Sequence, residues 1–229
     1  MPLCKLENYH TLPKLVTRIL GATFSDCTNL QNIKIPDSVT HIEATFSSCK
    51  NLAEINVDGQ NQNYRSIDGV LFDKNIQTLI NFPQNKKDKN YVIPDFVVNI
   101  EGGAFLNCKN LTNIVFPNSV KNIGRQGFSG CDNLNIITIP NSLTSIEDEV
   151  FNECIGLTSI HIPNSIKKIK ARAFYGCVNL PDIIIPNSVS SIAVEVFNGC
   201  AKLKNVTLSR KTKIGRDAFP HGISFRYSD

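Results

Sequence analysis

Phe151-Asn152-Glu153-Cys154-Ile155-Gly156-Leu157-Thr158-Ser159-Ile160-His161-Ile162-Pro163-Asn164-Ser165-Ile166-Lys167-Lys168-Ile169 is one pass of a pattern that begins again at Phe174-Tyr175-Gly176-Cys177. The cysteines mark its period. They stand at Cys4, Cys27, Cys49, Cys108, Cys131, Cys154, Cys177 and Cys200, with gaps of 23, 22, 59, 23, 23, 23 and 23 residues. Catalytic or metal-ligating cysteines have no reason to recur this way. A structural repeat does, and a period of 20 to 50 residues marks a solenoid or an array.

The rest of the frame moves with the cysteines. Phe precedes by three at Phe24, Phe46, Phe105, Phe128, Phe151, Phe174 and Phe197, and Leu follows by three at Leu30, Leu52, Leu111, Leu134, Leu157, Leu180 and Leu203. An apolar-x-apolar-Pro element comes next, as in Ile137-x-Ile139-Pro140 and Ile183-x-Ile185-Pro186. Alternation there predicts a short strand with one buried face. Proline cannot donate to a ladder and ends it, and Asn-Ser turns the chain. The pair Val120/Ile123 or Val189/Ile192 marks a second extended segment. The stretch up to Phe-x-x-Cys suits a short helical or 3₁₀ turn. One such unit cannot bury its apolar side. Stacked copies bury Phe on Phe, Leu on Leu and Ile on Ile.

The irregular parts fit the same frame. Leu12-Pro13-Lys14-Leu15-Val16-Thr17-Arg18-Ile19 matches the later Ile-Pro-Asn-Ser-Val-x-x-Ile, so the repeats run from the first residues of the 229. Counting back from Tyr91-Val92-Ile93-Pro94 places Phe82 at the Phe position and Asn85 at the Cys position. The 59-residue gap is then one 23-residue repeat and one enlarged repeat of 36. Ile67–Phe72 and Thr78–Phe82, joined by Asp73-Lys74-Asn75, read as a hairpin budding from the array within residues 58–82. The expectation is a single solenoid over 1–229 of about nine stacked units.

The recurring Phe-x-x-Cys-x-x-Leu-x-x-Ile-x-Ile-Pro-Asn-Ser-Val-x-x-Ile closely resembles the BspA-like, or TpLRR, class of leucine-rich repeats. The enlarged repeat Asn63-Tyr64-Arg65-Ser66-Ile67-Asp68-Gly69-Val70-Leu71-Phe72 resembles a segment that recurs in that class. The resemblance implies a leucine-rich-repeat solenoid with a parallel sheet on its concave side. It also implies a cell-surface or secreted setting and adhesion to host or matrix proteins. Residues 1–8 lack the basic and apolar regions of a signal peptide, which leaves a cytoplasmic setting open. No apolar run approaches the roughly 18 residues that span a bilayer.

The chemistry-bearing residues point away from catalysis. The cysteine column reads as a ladder of small buried thiols. Disulfides between neighbouring coils are a second reading, because strands about 5 Å apart put Cα atoms within bonding range. Metal binding needs clustered ligands, which the spacing does not supply. His10, His41, His161 and His221 occupy different repeat positions, and no nucleotide-binding, nucleophile-elbow or zincin motif occurs. No enzyme activity and no cofactor is expected. The sequons Asn110-Leu111-Thr112 and Asn205-Val206-Thr207 abut core positions. Net charge is +4, with Lys202, Lys204, Arg210, Lys211, Lys213 and Arg216 close together. No aromatic interleaves these charges to stack bases, so they read as a solvated rim and no nucleic-acid partner is expected.

Function then falls to the outward strand residues, since side chains alternate across a strand. One outward column includes Lys34, Val92, Val115, Thr138, His161, Ile184 and Thr207, and the other includes Asn113, Ile136, Ser159 and Asp182. Exposed Val92, Val115, Ile136 and Ile184 would mark a protein-binding patch. The competing reading is that they raise strand propensity. The expectation is an interaction or adhesion module for a protein partner. The alternative is a structural spacer from a longer array, with self-association through its exposed ends.

Overall fold

The computed structural model describes residues 9–21, 23–24, 27–43, 46 and 49–228, with the backbone only at Tyr9 and His10. Cys4 lies outside them. Among the described residues the chain contains strands and turns and no helix. The coils after residue 98 have three walls. The first is built from the apolar-x-apolar strands, among them Asn113–Val115, Ile136–Thr138, Ser159–His161, Asp182–Ile184 and Asn205–Leu208. The second is built from the Val-x-x-Ile segments. Ser145–Ile146, Lys168–Ile169, Ser191–Ile192 and Lys213–Ile214 pair in parallel one coil apart.

The third wall corrects the helical reading of the segment before Phe-x-x-Cys. Gln126, Glu149, Arg172, Glu195 and Asp217 adopt left-handed φ of 52–59°, and Gly130, Gly176 and Gly199 do so four residues later within their coils. That backbone turns alternate N–H groups toward the following coil. Gln126, Phe128 and Gly130 donate to the carbonyls of Asp148, Val150 and Asn152 at 2.8–3.1 Å. Stacking satisfies groups that a helix would have satisfied within itself. Each non-glycine residue held left-handed costs about 1 kcal/mol.

The columns are in register. Phe128, Phe151, Phe174, Phe197 and Phe219 stack at 5.2–5.6 Å with ring planes 8–16° apart. Phe82 stacks on Phe105 at 5.0 Å, so the position counted back from Tyr91 is a true member of the column. Cys131, Cys154, Cys177 and Cys200 are fully buried thiols. Each donates Sγ–H to the carbonyl of a Phe in the preceding coil at 3.1–3.2 Å. Cys27 departs from the thiol reading, because it is disulfide-bonded. Asn85 departs too. It is only half-buried and donates Nδ2–H to Asn51 instead of to a Phe carbonyl.

The enlarged repeat does not bud outward. Tyr64–Ile67 and Val70–Asp73 pair antiparallel, and Val70–Asp73 pairs antiparallel with Thr78–Asn81, which continues in parallel into Asn99–Ile100. The turn falls at Asp68-Gly69, both left-handed, and so splits the stretch read as one strand. Val70, Leu71 and Phe72 are fully buried. Leu71 faces the core of the first coils, whereas Val70 and Phe72 face the core of the later ones. The strand is therefore a shared partition between two stacks.

Candidate functional site

The outward strand residues form the candidate face. Val92, Val115, Thr138, His161, Ile184, Asn113, Ile136, Ser159 and Asp182 are exposed, and Lys34 and Thr207 are half-exposed. Ile184 is 71% exposed, Val92 66%, Ile136 55% and Val115 47%. Between them lie the buried Ile114, Ile137 and Ile183, whose packing holds the strands rigid. Lys34 is the one cation of the set and lies 3.8 Å from Asp58. Asp182 accepts from the Asn205 amide. The middle of the face therefore carries one carboxylate and one imidazole among aliphatic and amide side chains.

The expected ladder is parallel but not continuous. It breaks after Glu54–Val57, where the buried meander enters, and again between Asn113–Val115 and Ile136–Thr138 and between Ser159–His161 and Asp182–Ile184. The last break has a direct covalent cause. The residue after each core Leu donates its N–H to the coil before, as Ala53 does to Gln31 at 2.7 Å, Thr112 to Lys89 at 2.7 Å and Thr158 to Asn135 at 2.9 Å. Pro181 occupies that position and has no N–H. The other break coincides with Phe116, a ring in a column of Ile35, Ile93, Ile139, Ile162 and Ile185. It is half-buried and packs edge-on to Phe128 at 5.5 Å.

A cleft opens at each of these two breaks. The one beside Phe116 encloses about 390 Å³ and is lined by Val115, Thr138 and Asn141 among others. The one beside Pro181 encloses about 680 Å³ and is lined by Ile160, Ile184 and Asn187 among others. His161 borders both. Sequence reasoning placed these side chains outward and missed the clefts. The available signals were Pro181 and Phe116, each a departure from a column that is otherwise regular.

The remaining sequence candidates fall apart in space or into structural roles. Among the described residues no three His, Cys, Asp or Glu converge as a metal set, and no helix is long and apolar enough to cross a membrane. His41 lies 3.6 Å from Glu43. The sequon residues Asn110 and Asn205 spend their amides on Lys86 and Asp182. At the basic rim Arg210 lies over the Tyr227 ring at 4.3 Å, an aromatic partner that the sequence reading overlooked.

Stacked coils, a shared Phe-Cys-Leu-Ile register and a parallel strand wall define a leucine-rich-repeat solenoid. The chain belongs to the BspA type leucine rich repeat family, whose model matches residues 3–91, 82–154 and 98–226 in six copies. A leucine rich cell surface protein from Faecalibacterium prausnitzii is 33% identical, with a TM-score of 0.78 over 89% of this chain and 60% of its own. A leucine-rich repeat protein from Bacteroides ovatus is 25% identical, with a TM-score of 0.66 over 96% of this chain and 63% of its own. The pneumococcal vaccine antigen PcpA, at 23% identity, shares the fold with a TM-score of 0.83 over 98% of this chain and 63% of its own. The chain thus spans less than two thirds of these relatives. No curated protein matches it.

Proposed function

We propose that this chain is a protein-interaction module of a surface-exposed or secreted protein, and that it engages a host or matrix protein across the outward face of its strand wall. The carrying observation is the run of exposed Val92, Val115, Ile136 and Ile184 on rigidly packed strands. Water contact on several aliphatic side chains in successive coils is unfavourable and is relieved when a partner covers them. Strand propensity alone accounts for a β-branched residue here and there, but polar Thr138 and Thr207 meet that need in the same column. The cell-surface description of the F. prausnitzii relative supports the setting.

The test is solid-phase binding to a panel of purified extracellular-matrix proteins. The intact chain is compared with Val115→Asp/Ile136→Asp/Ile184→Asp. The expected outcome is at least a tenfold loss of binding with an unchanged melting temperature. Binding unaffected by the triple change would move the interface off this face.

A further inference from the structure

The two clefts open at the two interruptions of the later strand wall and have a fixed spacing. At both clefts one strand-end N–H does not reach the next coil, that of Phe116 at the first and that of Ile162 at the second, whereas those of Ile93, Ile139 and Ile185 donate to Val115, His161 and Thr207 at 2.8–3.1 Å. At the second, Pro181 leaves the Thr158 carbonyl without the bond that the carbonyls of Gln31, Lys89 and Asn135 receive. Ile160 beside it is half-buried, whereas Ile114, Ile137, Ile183 and Val206 of the same column are core. The clefts lie two coils apart on one face.

We propose that this pair of clefts is a binding site for a polyproline-II segment of the protein partner, an inference that rests on the interaction reading above. The argument begins with repeat lengths. Two coils at sheet spacing measure roughly 9.5 Å, and the 5.3–5.6 Å separation of the Phe rings carries the upper end of the two-coil distance to about 11 Å. A polyproline-II helix brings every third side chain to the same side at about 9.3 Å. A β-strand brings same-side residues back at about 6.7 Å and then twice that, which misses the second cleft. An α-helix can bridge a comparable distance at seven residues, about 10.5 Å, but its carbonyls are already satisfied.

The rim separates these occupants further. Asn118 and Asn141 border the first cleft and Asn164 and Asn187 the second, all four exposed. Each carboxamide offers two donors and an acceptor. Polyproline-II carbonyls are solvated and have no internal partner, so this amide column suits them. Charge adds direction. Asp182 is the carboxylate at the second cleft, and no Lys or Arg lines either cleft. A basic residue beyond the apolar third positions of the segment completes the match.

The probe is a fluorescein-labelled peptide of repeated Pro-Pro-Leu ending in Arg, titrated against the intact chain by fluorescence anisotropy. The controls are the same composition shuffled to lose the three-residue period and an alternating Val-Thr strand former. The expected result is saturable binding of the periodic peptide, at least tenfold tighter than either control. Pro181→Thr/Phe116→Ile removes both departures from the repeat columns and is expected to weaken binding at least tenfold without lowering the melting temperature. Ile184→Asp, a surface change, is expected to weaken it as well. Absent binding, a preference for the strand former, or equal binding by the double variant overturns the proposal. Loss of matrix-protein binding in the triple Asp variant beside a silent peptide would leave the interaction reading standing and remove only this one.

Discussion

The carbonyl oxygen of Phe128 accepts two hydrogen bonds, one from the Cys131 N–H of its own coil at 3.3 Å and one from the Cys154 Sγ of the next coil at 3.2 Å. A carbonyl has two lone pairs, and both are used. The column therefore calls for a residue small enough for the core that still carries a donor, which cysteine meets. The Phe and Cys columns are one device: the ring stacks, and its backbone oxygen ties two coils.

This burial has a chemical consequence. Removal from water pushes the Cys131 thiol up to about 12 and raises Cys108, Cys154 and Cys177 well above the ordinary value. The thiolate is the reactive form. Iodoacetamide at pH 8 is expected to leave these four cysteines unmodified in the folded chain and to alkylate them fully in urea. Mass spectrometry of digests checks it, and rapid labelling without denaturant would contradict the ladder.

The same shift makes stability depend on pH in a set direction. A folded-state value above the unfolded one contributes stability that is complete below the unfolded value and is lost as pH rises. The ordinary thiol value of 9.0 sets the start of that window for Cys131. Urea midpoints are expected to hold from neutrality to about pH 9 and fall beyond it. Replacing Cys131 and Cys154 with Ala lowers stability overall and flattens that alkaline decline, which equilibrium unfolding across pH measures.

Phe151→Ala removes a ring stacked on both sides, at 5.6 Å from Phe128 and 5.5 Å from Phe174. The expected cost is about 3–5 kcal/mol. Because each coil contacts only its neighbours, the damage is local. Hydrogen exchange is expected to rise most in the coils on either side of residue 151 and least near residues 9–43.

Gly156 stands where Asn110, Asn133 and Asn179 stand in other coils. A Cβ on it would lie 2.4 Å from the Asp132 carbonyl oxygen and 3.2 Å from that of Leu134, both backbone. Gly156→Ala is expected to cost about 1–3 kcal/mol through overpacking. The matched control Asn179→Ala loses only a hydrogen bond to Ile155, so its thermal shift is expected to be the smaller of the two.

Buried Asn61 donates to the carbonyls of Pro36 and Val39 at 2.8 and 2.9 Å and accepts from the N–H groups of Asn63 and Tyr64 at 2.8 Å each. Asn61→Ala takes a partner from four backbone groups at the entrance to the meander, of which the Pro36 carbonyl keeps the Val39 N–H. Each buried unpaired group costs about 1–3 kcal/mol, so loss of cooperative folding in the first coils is expected. Asn61→Asp keeps the shape but sets a carboxylate against two carbonyls, and is expected to be no better. Circular dichroism melts of both variants check this.

The recurrence of Phe, Cys, Leu and Ile at one period determined the stacked coils, the parallel register and the outward columns. A unit that cannot bury its own face has only its neighbours to bury it against, so periodic apolar positions dictate stacking. Even Phe82 was legible by counting back from Tyr91. Tertiary structure alone decided the rest. The meander became an interior partition because Val70, Leu71 and Phe72 have cores on both sides, which no local alternation encodes. The left-handed wall arose because N–H groups bond to the next coil, a choice that exists only once that coil is in place. Pro181 matters for the same reason: an absent N–H counts only against the carbonyl that stacking brings opposite it.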